Sequence, residues 1–254
     1  GDSNPLFNIG TANNGASGSI DFYIRQSGWP TVNHIHSTAE PYDGEWHHVV
    51  FVQEGGERRV YVDGELDDLE IAAKPAGTFR VNDTTIGGIL RSSASHWVTG
   101  LIDDVAIWNR ALSDDEAAQL HAEGLASVFP SLGNGLIAYW PLDGVQGSKT
   151  PELVNGYDME LTNLSAEDVV EGRIGNAFSF SNEKQTLLSR VHDAADQLPA
   201  NKHESHTISM WSKVDGNGQN DLRLFSEANT GDSNPLFNIG TANNGASGAI
   251  DFYI

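Results

Sequence analysis

Period-two alternation runs through this sequence. TISMWSKV (207–214) and GNAFSF (175–180) set apolar against polar residues in turn, as half-buried strands do. The same reading gives strands in LIAYW (136–140), LRLF (222–225), LFNI (236–239) and AIDFYI (249–254). Before them lie WHHVVFV (46–52), RVYV (59–62), TTI (84–86) and LIDDVAIW (101–108). Gly, Asn, Asp and Pro separate these runs at spacings too short for crossover helices, which predicts an antiparallel all-β sandwich. One segment reads as helix. Ser113 at the N-cap with Glu116 three residues on makes a capping box, Asp114 and Asp115 suit the positive end of the dipole, and Gly124 marks the stop. Residues 125–134, with Pro130 and Gly133, read as a linker.

Residues 1–24 and 231–254 agree at 23 of 24 positions, differing only at Ser19 against Ala249. The offset of 230 residues predicts a repeating unit of that length, cut from near-identical tandem copies. The unit reads naturally as 135–254 followed by 25–134. Residues 1–134 are then the C-terminal part of one repeat and 135–254 the N-terminal part of the next. Neither half closes a sandwich alone, since each leaves strand edges unpaired and an apolar face open. With one sheet slot expected for two copies of the 24-residue segment, the favoured arrangement is self-association through swapped strands. Closure within one chain, with one copy excluded, is the alternative.

The motifs AYWPLD (138–143), GRIGNAF (172–178), TISMW (207–211), GEWHHV (44–49), VYVDG (60–64), TIGG (85–88) and GLIDDVAIWNRALS (100–113) together resemble the LamG-like, concanavalin A-like jelly-roll domains, nearest to the bacterial laminin G-like type. The resemblance spans essentially the whole unit once the permutation is undone. It implies a two-sheet jelly roll with one short C-terminal helix, an extracellular or cell-surface setting, and a role between sugar binding and spacing. It also implies a rim Ca²⁺ without naming its ligands.

Charge narrows the partners. The net charge of −21 argues against nucleic acid and anionic membrane, and no apolar run approaches the ~20 residues of a spanning helix. With no Cys, disulfides, thiolate zinc sites and thiol nucleophiles are excluded. A hydrophobic content of 39% still supplies a real core. Asp143 ends the first strand of the unit, and Asp103 with Asp104 lies in the last. Pairing of first and last strands would bring these three carboxylates to one rim, where hard oxygen ligands suit Ca²⁺; turn residues with local hydrogen bonds are the plainer reading. The oxygen-rich stretch 215–221 lacks EF-hand spacing.

Glu65, Asp67 and Glu70 match the E-x-D-x-x-E pattern of laminarinase-type glycoside hydrolases. They follow the Asp63-Gly64 turn, which places them on an exposed return strand rather than in a cleft. His34 and His36 fall on one strand face, roughly 6.6 Å apart, and would need His96 or Glu40 to hold Zn²⁺; a polar outer face is the alternative. His47 and His48 belong to a strand that turns one imidazole inward. Trp46, Trp108, Trp140 and Trp211 sit in apolar strands and read as core. Trp29 and Trp97 sit in polar loops, where a Trp stacks on a sugar or folds down over the core. Trp29, His34, His36 and Trp97 are therefore the candidate ligand surface. The expected function is a non-catalytic extracellular repeat module acting in adhesion or glycan binding. A structural spacer and a hydrolase are the alternatives, and the partners are glycans or neighbouring copies.

Overall fold

A computed structural model describes residues 6–11, 20–25, 33–35, 39–55, 57–67, 82–215, 219, 223–228, 230–231, 237–241 and 250–253. Two antiparallel sheets form a sandwich. The larger runs, in spatial order, Lys149–Thr150, Met159–Thr162, Leu187–Val191, Asp83–Ile86, Arg223–Ala228, Phe237–Thr241, Ile250–Tyr253, Leu6–Thr11, Ile20–Arg25 and Asn33–Ile35. The smaller runs Val169–Glu171, Asn176–Phe180, Gly100–Trp108, His206–Asp215, Asp43–Glu54, Glu57–Val62 and Glu65–Leu66, with Leu136–Trp140 also paired to Gly100–Trp108. Both sheets contain strands from the two halves of the chain, and the first strand of the reordered unit pairs with the last.

Register explains the alternation. One row crosses the larger sheet through Leu161, Leu188, Ile86, Phe225, Ile239, Phe252, Ile9, Phe22 and Ile35, all apolar. Of its members whose burial is described, Leu188, Ile86 and Phe225 are buried in the main core with Trp140, Phe178 and Phe180, and the half-buried Leu161 packs against it. One residue away, on the opposite face, the row reads Glu160, Ser189, Thr85, Ser226, Asn238, Tyr253, Asn8, Tyr23 and His34. A one-residue slip would exchange the two rows, so burial fixes the register.

The described strands of both copies of the duplicated segment pair within the larger sheet of one chain. Asn8 and Asn238 both stand opposite Tyr253, and Ile9 and Ile239 both stand opposite Phe252. The first hairpin lies between Ile250–Tyr253 and Asn33–Ile35 without changing face. The expectation that the sheet offers a single slot is therefore corrected. A strand edge that pairs with a sequence in one register pairs with its duplicate in the same register, so the sheet widens by two strands.

The helix begins where the capping box places it. In α1 (Asp114–Glu123) the Glu116 amide donates to Ser113 Oγ at 3.2 Å and the Ser113 amide to Glu116 Oε2 at 2.9 Å. Ser113→Ala should lower stability by about 1 kcal/mol, a melting shift of roughly 2–4 °C by calorimetry. Residues 125–134 are not a linker, because α2 (Leu125–Leu132) forms there with Pro130 inside it. Leu125, Val128 and Leu132 recur at helical spacing and bury against Trp108 and Leu136 on the outside of the smaller sheet. Trp108 Nε1 donates to the Leu132 carbonyl at 2.7 Å, closing the last turn.

Candidate functional site

The last strand of the unit, Gly100–Trp108, changes neighbours partway. Residues 100–102 pair with Asn176–Phe180, and residues 105–108 with Leu136–Trp140. Asp103 and Asp104 occupy the changeover, where the register against His206–Asp215 also shifts and Asp104 takes φ 50°. Asp143 follows the paired strand Leu136–Trp140 and reaches the same place. Asp143 is near enough for its charge to act on both Asp103 and Asp104, but among the described residues the three do not form a group that could hold a metal ion.

Their hydrogen bonds are unequal. Asp103 Oδ2 accepts from the Arg173 and Ile174 amides at 2.8 and 2.9 Å, and Asp143 Oδ1 from the Asn176 amide at 2.7 Å. Tyr139 donates its hydroxyl to Asp104 Oδ1. Asp103 Oδ1 and Asp104 Oδ2 are buried and have no hydrogen-bond partner. Burial above all, reinforced by Asp104 and Asp143, pushes Asp103 up to about 7; burial and Asp143 push Asp104 up to about 6. Gly172 and Gly175 are required by this crowding. A Cβ on Gly175, at φ +68°, would lie 2.4 Å from Asp143 Oδ1, and one on Gly172 2.7 Å from Asp103 Oδ2. Such a site either keeps a proton or takes a cation. Among the described residues no three His, Asp or Glu side chains already surround one point, so a Ca²⁺ here would draw further oxygens from backbone or water.

The other candidates are scattered. Trp97 is half-buried, bridged to Arg223 and close to Gly88; its indole N–H is buried without a partner. Trp29 and His36 lie outside the described residues. His34 lies in Asn33–Ile35 opposite Tyr23, at the end of the polar row; its side chain is not among those described. Along that row Thr85 and Ser226 are buried. His96 takes φ 55° and bonds Ser95 Oγ through Nδ1 at 2.9 Å. Glu65 is exposed on the outermost strand of the smaller sheet, and buried Asp67 accepts the Ala39 amide at 2.9 Å. Glu70 lies outside the described residues. Glu65 is thus exposed at a sheet edge, as the preceding turn predicts, whereas Asp67 is buried just beyond that strand.

Of the four tryptophans read as core, only Trp140 lies in the main core between the sheets, and Trp108 is buried with α2 outside the smaller sheet. Trp46 is only half-buried. Trp211 packs outside the smaller sheet, between the Arg173 guanidinium at 4.7 Å and the His48 and His121 rings. His48 is likewise buried beneath α1, not in the sandwich, and bonds Ser209 Oγ at 2.8 Å. Burial lowers it to about 3, so it is neutral. Ser209 is 2% exposed, which leaves this Ser–His pair closed to a substrate.

Sequence reasoning missed Glu152. Its carboxylate accepts four backbone amides, from Tyr139, Val154, Asn155 and Tyr157, at 2.6–3.1 Å. An acidic residue followed by Asn155-Gly156 was a signal for a carboxylate-centred turn.

Residues 2–118 match the family model described as the concanavalin A-like lectin/glucanases superfamily. Among curated proteins the chain is similar to the human adhesion G-protein coupled receptor D1, 30% identical over 126 residues. That match takes in 46% of this chain but 14% of the receptor. No solved structure matches the chain. No helix of the described residues is long and apolar enough to cross a membrane. The family match over residues 2–118 supports a LamG-like domain, and the mostly β architecture of packed antiparallel sheets is consistent with a concanavalin A-like jelly-roll sandwich.

Proposed function

We propose that this domain is a non-catalytic, extracellular adhesion module of a larger surface or secreted protein. In this reading it binds glycans and takes a Ca²⁺ at Asp103, Asp104 and Asp143. What supports the cation is that Asp103 and Asp104 each hold a buried oxygen without a hydrogen-bond partner, within reach of the Asp143 charge. Ca²⁺ would replace the proton that the buried carboxyls otherwise keep, and would hold the Gly172–Gly175 turn against the last strand. The partial likeness to an adhesion receptor supports the adhesive role. Ligand surface would come from the rim and from the loop bearing Trp97, with Trp29, His34 and His36 as its other candidates.

The test is a glycan array probed with the chain in millimolar Ca²⁺ and in chelator. Retention on particular glycans, weakened in chelator, is the expected result. Silence across the array in both conditions would reject glycan binding and leave the spacer reading.

A further inference from the structure

The duplicated sequence gives the larger sheet two hairpins of the same make, Leu6–Thr11 with Ile20–Arg25 and Phe237–Thr241 with Ile250–Tyr253. Their internal registers are identical. Asn8 faces Tyr23 and Ile9 faces Phe22, just as Asn238 faces Tyr253 and Ile239 faces Phe252. What differs is the strand each hairpin meets on its outer edges.

The second strand of each hairpin has one outer edge. In Ile20–Arg25 that edge takes Asn33–Ile35, with Phe22 opposite Ile35 and Tyr23 opposite His34. In Ile250–Tyr253 the same edge takes Leu6–Thr11, with Phe252 opposite Ile9 and Tyr253 opposite Asn8. Both neighbours are antiparallel, and both set isoleucine against the phenylalanine and a polar residue against the tyrosine. The first strands behave alike. Phe237–Thr241 lies against Arg223–Ala228, with Ile239 opposite Phe225 and Asn238 opposite Ser226. Leu6–Thr11 offers the same two positions to Phe252 and Tyr253. A strand edge pairs with any segment that keeps apolar residues on the apolar face, so each hairpin fits both junctions. Holding both hairpins also sets Asp21 beside Asp251, and like charges directly opposite one another weaken a sheet.

We propose that the larger sheet is an exchange device, which holds both hairpins or releases one and closes on the other while the sandwich stays folded. With the first hairpin out, Asn33–Ile35 meets Ile250–Tyr253 through Ile35 with Phe252 and His34 with Tyr253. With the second out, Leu6–Thr11 meets Arg223–Ala228 through Ile9 with Phe225 and Asn8 with Ser226. The apolar row keeps its face in both cases. Release lengthens the chain outside the sheet without uncovering Leu188 or Ile86 in the main core.

The test is amide hydrogen exchange on the whole chain in wild type, Ile9→Pro, Phe252→Pro and the double variant. Proline removes a ladder donor and is not tolerated inside a strand paired on both sides. Among the described strands Asn33–Ile35 ends the sheet with a single neighbour, so its amides report one junction. In each single variant they should stay protected to within about tenfold of wild type, with His206–Asp215 protected throughout as the sign of a folded sandwich. In the double variant the protection of Asn33–Ile35 should fall by about a hundredfold or more. Its loss in either single variant would show that Asn33–Ile35 needs both hairpins, and would overturn the proposal. Unfolding of either single variant, or protection that survives the double substitution, would overturn it as well.

Discussion

Glu152→Ala should lose on the order of 4 kcal/mol of stability, a fall in melting temperature of roughly 8–16 °C. The carboxylate is 5% exposed and bridges two places that are not adjacent in sequence. Oε1 takes the Tyr139 and Val154 amides, and Oε2 takes those of Asn155 and Tyr157. Alanine would leave four donors short of an acceptor, and an unmade bond at a buried group costs more than the net worth of a made one. The damage would reach the core, because Trp140 Nε1 donates to the Tyr157 carbonyl at 2.8 Å. Glu152→Gln keeps one acceptor oxygen and should fall between alanine and wild type. Urea melts of the three proteins check the order; an alanine variant within 1 kcal/mol of wild type would contradict this role.

The second large effect depends on pH. In chelator, Asp103→Asn should gain on wild type as pH rises from 5 to 8. Asp103 is raised to about 7 in the fold, against an ordinary carboxyl near 4 in the unfolded chain. The folded state therefore binds the proton more tightly. Its contribution is full below about pH 4 and is lost as pH climbs through 7. Asparagine imitates the neutral carboxyl, and its oxygen can still accept from Arg173 and Ile174. Over the two units between pH 5 and 7 the gap is on the order of 2–3 kcal/mol. Asp83, raised to about 8 by burial and by Glu227, pulls wild type and variant the same way. His48 and His192 are lowered instead and destabilise both proteins as pH falls below 6.5. Comparing the two proteins at each pH cancels these contributions. A difference that stays flat from pH 5 to 8 would show that Asp103 carries its charge at no cost.

What the sequence discloses and what it hides follow from locality. Strands such as His206–Asp215 are legible because their alternation is contained in their own residues, and α1 because Ser113 and Glu116 are three apart. The rim aspartates are legible by one further step, the pairing of first and last strands. By contrast, α2 is hidden: Pro130 and Gly133 read as breakers, while the burial of Leu125, Val128 and Leu132 against Trp108 overrides them. The widened sheet is hidden because counting slots assumes a fixed number of strands. Glu152 is hidden for a third reason. Its partners come from a turn and a strand whose meeting depends on the finished topology.

Titration of chelator-stripped protein with Ca²⁺ at pH 7.5, by calorimetry and thermal melting, tests the central claim most directly. The account predicts one Ca²⁺ per chain and a rise in stability, about 2.7 kcal/mol at a hundredfold excess over Kd. In Asp103→Asn and Asp104→Asn both responses should be lost or much reduced, so that in Ca²⁺ the order of wild type and Asp103→Asn reverses. No heat of binding, with a wild-type melting temperature identical in millimolar Ca²⁺ and in chelator, would contradict it.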